Sequence, residues 1–310
     1  MPNILSKIFT SFFEVYKTFA YTPTPRLMMT LLVKNEEQML AHNIEFHHRM
    51  GVDAFIITDN NSTDRTPEII EFYKKKGWVV EVISEKGCDY EQKKWVDRMI
   101  WLAKTKYHAD WVINADADEF WYTPKQNLKK EMCHTHANVL SCEMRSVYPS
   151  SNSPWTTWKH TVRYVDTPEK YDLSLYSVFE HQYKKVIHRT AGYIQISMGN
   201  HKVIMNPKNE VKSSIIVYHY NVKLYDQFVK KMVNGGKQLE KHKSKHGGRH
   251  WRYFYAMYKE NPKLLESEYQ RVIGSSSFDK LKEDGYIFDD NPIPNYIKKI
   301  SEDLPLSHAL

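Results

Sequence analysis

A chain of 310 residues with 41% hydrophobic and 26% charged residues has the composition of a folded protein with a sizeable core, which excludes a disordered or collagen-like chain. A formal charge of +7 points to an anionic partner, whether a nucleotide diphosphate, an acidic glycan, a membrane surface or nucleic acid. Cys88, Cys133 and Cys142 form no CxxC pair, which speaks for free thiols in a reducing, cytoplasmic compartment and against sulfur-bound metal.

No run reaches the roughly 18 apolar residues of a membrane-spanning helix. Over residues 1–21, however, Ile4, Leu5, Ile8, Phe9, Phe12, Phe13, Tyr16 and Phe19 recur at helical spacing with Lys7 and Lys17 between them. That pattern predicts an amphipathic helix, suited either to docking on the core or to peripheral contact with the inner face of a membrane. The interrupted apolar run and the lack of a small-residue cleavage site argue against a signal peptide.

Thr22-Pro-Thr-Pro25 breaks that helix. Strands are then predicted over residues 27–33, 53–58, 78–83 and 111–115, and helices over 36–50, 65–76 and 90–107, with Gly51 and Gly77 closing the first two helices. Alternation of this kind over residues 26–122 predicts an α/β fold, with a parallel nucleotide-binding sheet covered by helices. Ligands bind such sheets beyond the carboxyl ends of the strands. Three polar clusters fall at those ends: Lys34-Asn35-Glu36, Asp59 to Asp64, and Asp116 to Glu119. Residues 123–260 are patterned more loosely, with strands over 140–148, 159–165, 184–188, 193–198 and 214–220. A helix over 225–241 contains Gly235-Gly236, a break or a site of close approach. Residues 261–310 read as a helical or irregular extension.

Asp116 and Asp118 are two carboxylates one residue apart, and on extended backbone they point the same way. Such a pair offers hard oxygen donors to Mg²⁺ or Mn²⁺, which would neutralise a departing nucleotide diphosphate. The competing reading is a solvated acidic turn.

Thr30-Leu-Leu-Val-Lys-Asn-Glu-Glu37, Asp59-Asn-Asn-Ser-Thr-Asp64 and Asp110-Trp-Val-Ile-Asn-Ala-Asp-Ala-Asp-Glu-Phe120 occur in that order. Together they resemble the successive signatures of family-2-type glycosyltransferases, in the branch with KNE, D-N-x-S-x-D and D-x-D-E-F motifs. The resemblance implies a GT-A fold and an enzyme of hexosyltransferase type. It would move a sugar from a nucleotide donor, UDP-linked by expectation, to a glycan or glycoconjugate, generally with inversion. It makes residues 123–260 the acceptor-side half of the same domain. It also implies that Val33, Asn35, Glu36 and Asp59 hold base and ribose, that Asp116 and Asp118 address ribose and metal, and that Gln92 and Lys93 face the donor. Asn60-Asn61 stands where Asp-Gly is frequent, which leaves the choice of base open.

A histidine often completes the metal shell in GT-A enzymes, and a neutral imidazole suits that role. His201, in Gly199-Asn200-His201, and His219, in Val217-Tyr-His-Tyr220, are the two candidates, and a shell with neither stays open. Inversion also needs a general base. Glu143, Asp172 and Glu180 are weak candidates, each more readily read as a surface carboxylate, and the base is left unassigned. From Lys230 to Arg252 the chain is basic, with His242, His246 and His250 interspersed, and Lys230 and Lys231 are placed to meet a diphosphate. No RNA-binding or helix-turn-helix signature accompanies the run, so nucleic acid is not expected. A nucleotidyltransferase would show a glycine-rich phosphate loop after the first strand, and Lys34-Asn-Glu-Glu37 has no glycine. A non-catalytic nucleotide- or glycan-binding module is the other alternative.

Overall fold

The computed structural model describes residues 2–19, 22–85, 92–133, 135–150, 153–241 and 248–300. The chain opens with helices α1 (Ile4–Phe13) and α2 (Val15–Thr18), followed by β1 (Leu27–Val33), α3 (Leu40–Arg49), β2 (Ala54–Asp59), α4 (Thr66–Lys75) and β3 (Val79–Ser84). Next come α5 (Gln92–Thr105), β4 (Trp111–Ala115), β5 (Glu119–Tyr122), β6 (Val139–Ser146), β7 (His160–Val162), β8 (Lys185–Arg189), β9 (Tyr193–Ile196), β10 (Val203–Met205) and β11 (Glu210–His219). The last elements are α6 (Tyr225–Lys241), α7 (Arg249–Glu260), α8 (Pro262–Ile273), α9 (Phe278–Glu283), β12 (Ile287–Asp289) and α10 (Ile293–Ile300).

Contacts divide the chain into two compact units. The first comprises Met1–Met144, Tyr183–Tyr218 and Asn295–Leu310, and the second Arg145–Gln182 and His219–Pro294. The main sheet has the order β3-β2-β1-β4-β8-β6-β11-β5. β1 pairs in parallel with β2 and β4, and β2 with β3, whereas β8 runs antiparallel to both β4 and β6. The expected α/β class with a GT-A-like sheet is therefore present. The chain steps outward from β1 to β3 and then returns to the other side of β1 as β4. The carboxyl ends of β1 and β4 thus flank a topological switch point, where open α/β sheets bind ligands.

β1 is buried on both faces, which explains its unbroken apolar run: Leu27, Met28, Met29 and Leu31 have no exposed surface. On α5, Val96, Met99, Ile100 and Ala103 recur at helical spacing and pack with Met28, Ile56 and Val112. Each of the three larger side chains contributes at most about 1.5–3 kcal/mol by leaving water. The helix predicted from residue 36 begins only at Leu40. The cause is local: Asn35 has φ 55°, and the Glu36 and Glu37 amides donate to the side chains of Thr66 and Asp64 rather than into a helix.

In the second unit β7 pairs antiparallel with β12, and α6 to α8 enclose Phe179, Phe228, Phe254, Leu265 and Tyr269. Gly235 and Gly236 do not break α6. A Cβ on either would lie 2.4 Å from the Trp251 ring or 2.3 Å from Tyr255, so these glycines let α7 approach. Among the described residues no helix is long and apolar enough to cross a membrane.

Candidate active site

β1 and β2 end in register, with Val33 beside Asp59, and the loops that follow are interlocked. The Asn60 amide donates to the Val33 carbonyl at 2.9 Å. Asn35 donates through its amide to Ser62 Oγ at 2.9 Å, and its side-chain oxygen accepts from the Thr63 amide at 2.8 Å. Asp59 Oδ1 accepts from both the amide and the hydroxyl of Ser62, at 3.1 and 2.6 Å. The Glu37 carboxylate accepts from the Arg65 amide at 3.1 Å. The first two sequence motifs are thus one hydrogen-bonded platform, and Asn35 takes the left-handed backbone that its short amide tolerates.

The third motif turns sharply after β4. Glu119 donates its amide to the Asp116 carbonyl at 3.1 Å, closing the turn that carries both aspartates. Asp118 is buried, whereas the Asp116 side chain is 38% exposed and is the member a ligand can reach. From α3, Asn43 Nδ2 donates to the Ala117 and Glu119 carbonyls at 3.0 and 2.9 Å. His47 Nε2 accepts from the Trp121 amide at 3.0 Å, so its proton sits on Nδ1, which donates to the Asn43 carbonyl at 2.8 Å. Burial lowers the His47 pKa to about 3, against a smaller opposing effect of that backbone bond, and the ring is neutral.

Lys185, on β8, closes the cluster from the other side. Its ammonium is 2.5 Å from Glu119 Oε1 and 3.7 Å from Asp116 Oδ2. Burial alone would lower its pKa, but the carboxylates of Glu119, Asp116 and Asp118 outweigh that and hold it above the ordinary value. Beneath the turn, Thr30 Oγ1 donates to Asn114 Oδ1 at 2.7 Å, and Asn200 Nδ2 to the Asn114 carbonyl at 3.2 Å. His188 Nδ1 donates to the Arg189 carbonyl at 2.8 Å, and Asn114 Nδ2 lies 3.4 Å from its other nitrogen. Burial lowers the His188 pKa to about 4.

The remaining candidates fall elsewhere. The side chain of Gln92 lies outside the described residues, as do His242 and His246, and Lys93 is exposed near the start of α5. His201 turns its Nδ1 to the Lys184 carbonyl at 3.0 Å, against Tyr183. Gly199 (φ 69°) makes room for that ring, since a Cβ there would meet His201 Nε2 at 2.7 Å. His219 belongs to the second unit, where its carbonyl accepts from the Val147 amide at 2.9 Å. Among the described residues no group of three His, Cys, Asp or Glu side chains could hold a metal ion. Two carboxylates one residue apart are hard oxygen donors of the kind that Mg²⁺ or Mn²⁺ accepts, and Asp116 and Asp118 are the residues that could hold such an ion.

Glu143 lines a surface hollow of about 410 Å³ with Ser141, Lys184 and Glu210. Asp172 and Glu180 are in the second unit. Asp172 accepts from Arg271 Nε at 2.8 Å, and burial raises the Glu180 pKa. Lys230 and Lys231 are exposed on α6.

A family model, Glycosyltransferase family 92, matches residues 28–261, about three quarters of the chain, and spans every element of this site. The chain belongs to glycosyltransferase family 92. As a member of that family it is a sugar-transferring enzyme, so agreement with the motifs' resemblance extends to sugar transfer and not to the family-2 assignment. No curated protein matches the chain in sequence. Among solved structures it is similar to Staphylococcus aureus TarS 1–349 in complex with UDP, at 13% identity and TM-score 0.40, covering 75% of this chain and 70% of that one. It is also similar to a second S. aureus TarS structure, at 16% identity and TM-score 0.39, covering 73% of this chain and 41% of that one. A third is the mannosyltransferase PcManGT from Pyrobaculum calidifontis in complex with GDP-Man and Mn²⁺, at 11% identity and TM-score 0.37, covering 96% and 87%. These likenesses are remote.

Five residues of this glycosyltransferase site are not marked out by the sequence: Asn43, His47, Lys185, His188 and Asn200. Asn200 adjoins the histidine that drew attention, and it is the asparagine that reaches the end of β4. Lys185 carried no such signal, since the predicted strand reads Lys184-Lys185-Val186-Ile187-His188 and either lysine could face water.

Proposed function

We propose that this family-92 glycosyltransferase moves a hexose from a UDP-linked donor to a glycan or glycoconjugate, with inversion at the anomeric carbon and with a divalent cation held by Asp116 and Asp118. The observation that carries this reading is the position of the acidic turn, at the carboxyl end of β4 and across the switch point from Val33. Roles follow from the family-2-type pattern. Asn35 and Asp59 each spend one side-chain oxygen on the loop platform, and their second polar atoms meet the base and ribose, beside Val33 and Glu36. Asp116, the exposed member, would address ribose and cation, and Asp118 would hold the cation with it.

A bound Mn²⁺ or Mg²⁺ would supply neutralisation of the departing diphosphate. The chain's own residues do the rest. Asn43 and His47 hold the turn's backbone, and Lys185 holds Glu119, so the two aspartates are oriented before the donor arrives. His201, in the same unit as the acidic turn, would be a third ligand after movement of the ring. The acceptor hydroxyl must lose a proton to a carboxylate. Among Glu143, Asp172 and Glu180 the first to substitute is Glu143, which lies in the same unit as the acidic turn.

The test is incubation with Mn²⁺ and a panel of nucleotide-sugars, reading release of free nucleotide diphosphate without acceptor. Slow hydrolysis of one donor, lost in Asp118→Ala, is the expected result. A chain that binds and hydrolyses none, or a variant equal to the parent, overturns the proposal.

A further inference from the structure

α1 is docked the wrong way round for a helix that belongs to a soluble core. An amphipathic helix ordinarily buries its apolar stripe and leaves its polar face to water. Here Lys7 and Ser11 are the buried residues of α1. Lys7 is ion-paired with Asp97, Ser11 Oγ accepts from Asn206 Nδ2 at 3.0 Å, and Glu14 accepts from Lys104 at 2.6 Å and from the Gly192 amide at 3.1 Å. The opposite face presents Leu5, Phe9, Phe12, Phe13 and Tyr16, each between 62 and 73% exposed. The helix is therefore held flat against the protein by specific polar bonds, with its apolar stripe turned outward.

We propose that this stripe seats the protein on the surface of a bilayer containing anionic lipid, as an in-plane interfacial helix. Three features select that occupant. The charge is complementary: Glu14 is engaged inward by Lys104, while Lys17 extends over the Tyr16 ring at the end of the stripe, on a chain of net charge +7. The residue types fit, because aromatic rings and leucine enter the headgroup boundary to a depth of about 5–10 Å. The area suits a bilayer better than a second copy. Five side chains about two-thirds exposed offer on the order of 500–800 Å², at or below the ~800 Å² per partner of a stable protein interface. Two copies, each with seven excess positive charges, would also repel.

The test is co-sedimentation of the full chain with vesicles of phosphatidylcholine alone and of phosphatidylcholine mixed with phosphatidylglycerol. Comparison is with the double variant Phe9→Ser/Phe12→Ser, with Lys17→Glu, and with Phe72→Ser as a control at an exposed phenylalanine on α4. The parent and the Phe72 variant should sediment with the anionic vesicles and be released by high salt. The double variant should bind at least about tenfold more weakly, and the Lys17 variant should lose part of the preference for anionic lipid. Because the substituted side chains are exposed, thermal melts should be unchanged. Failure of the parent to bind anionic vesicles overturns the proposal, as does equal binding by the double variant. Sedimentation-velocity evidence that the parent is a dimer which the double variant abolishes, without vesicle binding, assigns the stripe to a second copy instead.

Discussion

Lys185→Met removes one charge from the centre of the site while keeping the length and most of the volume of the side chain. The lysine is 3% exposed and the Glu119 carboxylate 0%, at 2.5 Å, so the pair is screened by protein rather than water. Removing one member of such a pair leaves the other charge buried, at a cost of about 3–5 kcal/mol. That is a large fraction of the roughly 5–15 kcal/mol that holds a typical domain together. Urea denaturation at pH 8, followed by circular dichroism, should show the midpoint falling by the corresponding amount. If the cost arises from a stranded carboxylate, Lys185→Met/Glu119→Gln should recover most of it, whereas loss of packing alone would leave the double variant no better. A positioning role adds a second readout: the single variant, assayed where it is folded, should raise KM for the donor more than it lowers kcat. A single variant within about 1 kcal/mol of the parent, or a double variant as unstable as the single, refutes the reasoning.

Chelation by EDTA should abolish nucleotide diphosphate release and added Mn²⁺ should restore it, and full activity in EDTA would remove the cation from the proposal. Asn43→Ala strands two buried carbonyls of the acidic turn and should cost about 2 kcal/mol or more, with weaker donor binding in calorimetry; an unchanged variant would deny the brace a role. Stability should also fall in acid. His47 and His188 have folded pKa values lowered to about 3 and about 4, below the 6.5 of the unfolded chain, so their contribution is complete above 6.5 and is lost as pH falls toward those values. With two more protons bound by the unfolded state, the slope approaches about 3 kcal/mol per pH unit; a flat profile between pH 6.5 and 4.5 would contradict the neutral rings. Gly236→Ala should destabilise the second unit, although alanine ordinarily favours a helix by about 1 kcal/mol, because its Cβ would lie 2.3 Å from Tyr255. A raised melting temperature would refute the close packing.

The donor half was legible because its signals are local. An unbroken apolar run marks β1 as buried on both faces, and helical spacing on α5 marks the stripe that covers it. The polar clusters then fall at strand ends by arithmetic. What stayed hidden depends on long-range pairing. Lys185 reaches Glu119 only because β8 lies antiparallel beside β4, with Val112 opposite His188, and nothing in the residues around 185 announces that neighbour. Asn43 and His47 sit in a helix of mixed polarity where either could face water. The short strands β5, β10 and β12 carry too few residues to show a period. For α1 the period was plain, but it reports only that two faces differ. Which face docks is decided by Asp97, Lys104 and Asn206, all distant in sequence.

The site carries much buried polarity without losing its shape because its polar groups are paired. Asn43, His47, Asn114, His188 and Lys185 are each costly to bury alone. Each meets a partner: a turn carbonyl for Asn43, a strand amide for His47, the Thr30 hydroxyl for Asn114, the carbonyl of Arg189 for His188, and for Lys185 a carboxylate closed into the turn by its own amide. Two of the five are histidines kept neutral by burial, which adds donors and acceptors without adding charge beneath an already acidic cluster. With the imidazoles neutral, the Lys185 ammonium is a positive charge set among these carboxylates, 2.5 Å from Glu119 and 3.7 Å from Asp116, and the Asp116 side chain keeps 38% of its surface exposed. On this account the buried residues act by holding the aspartates still, and their substitution should weaken donor binding before it alters the transfer step.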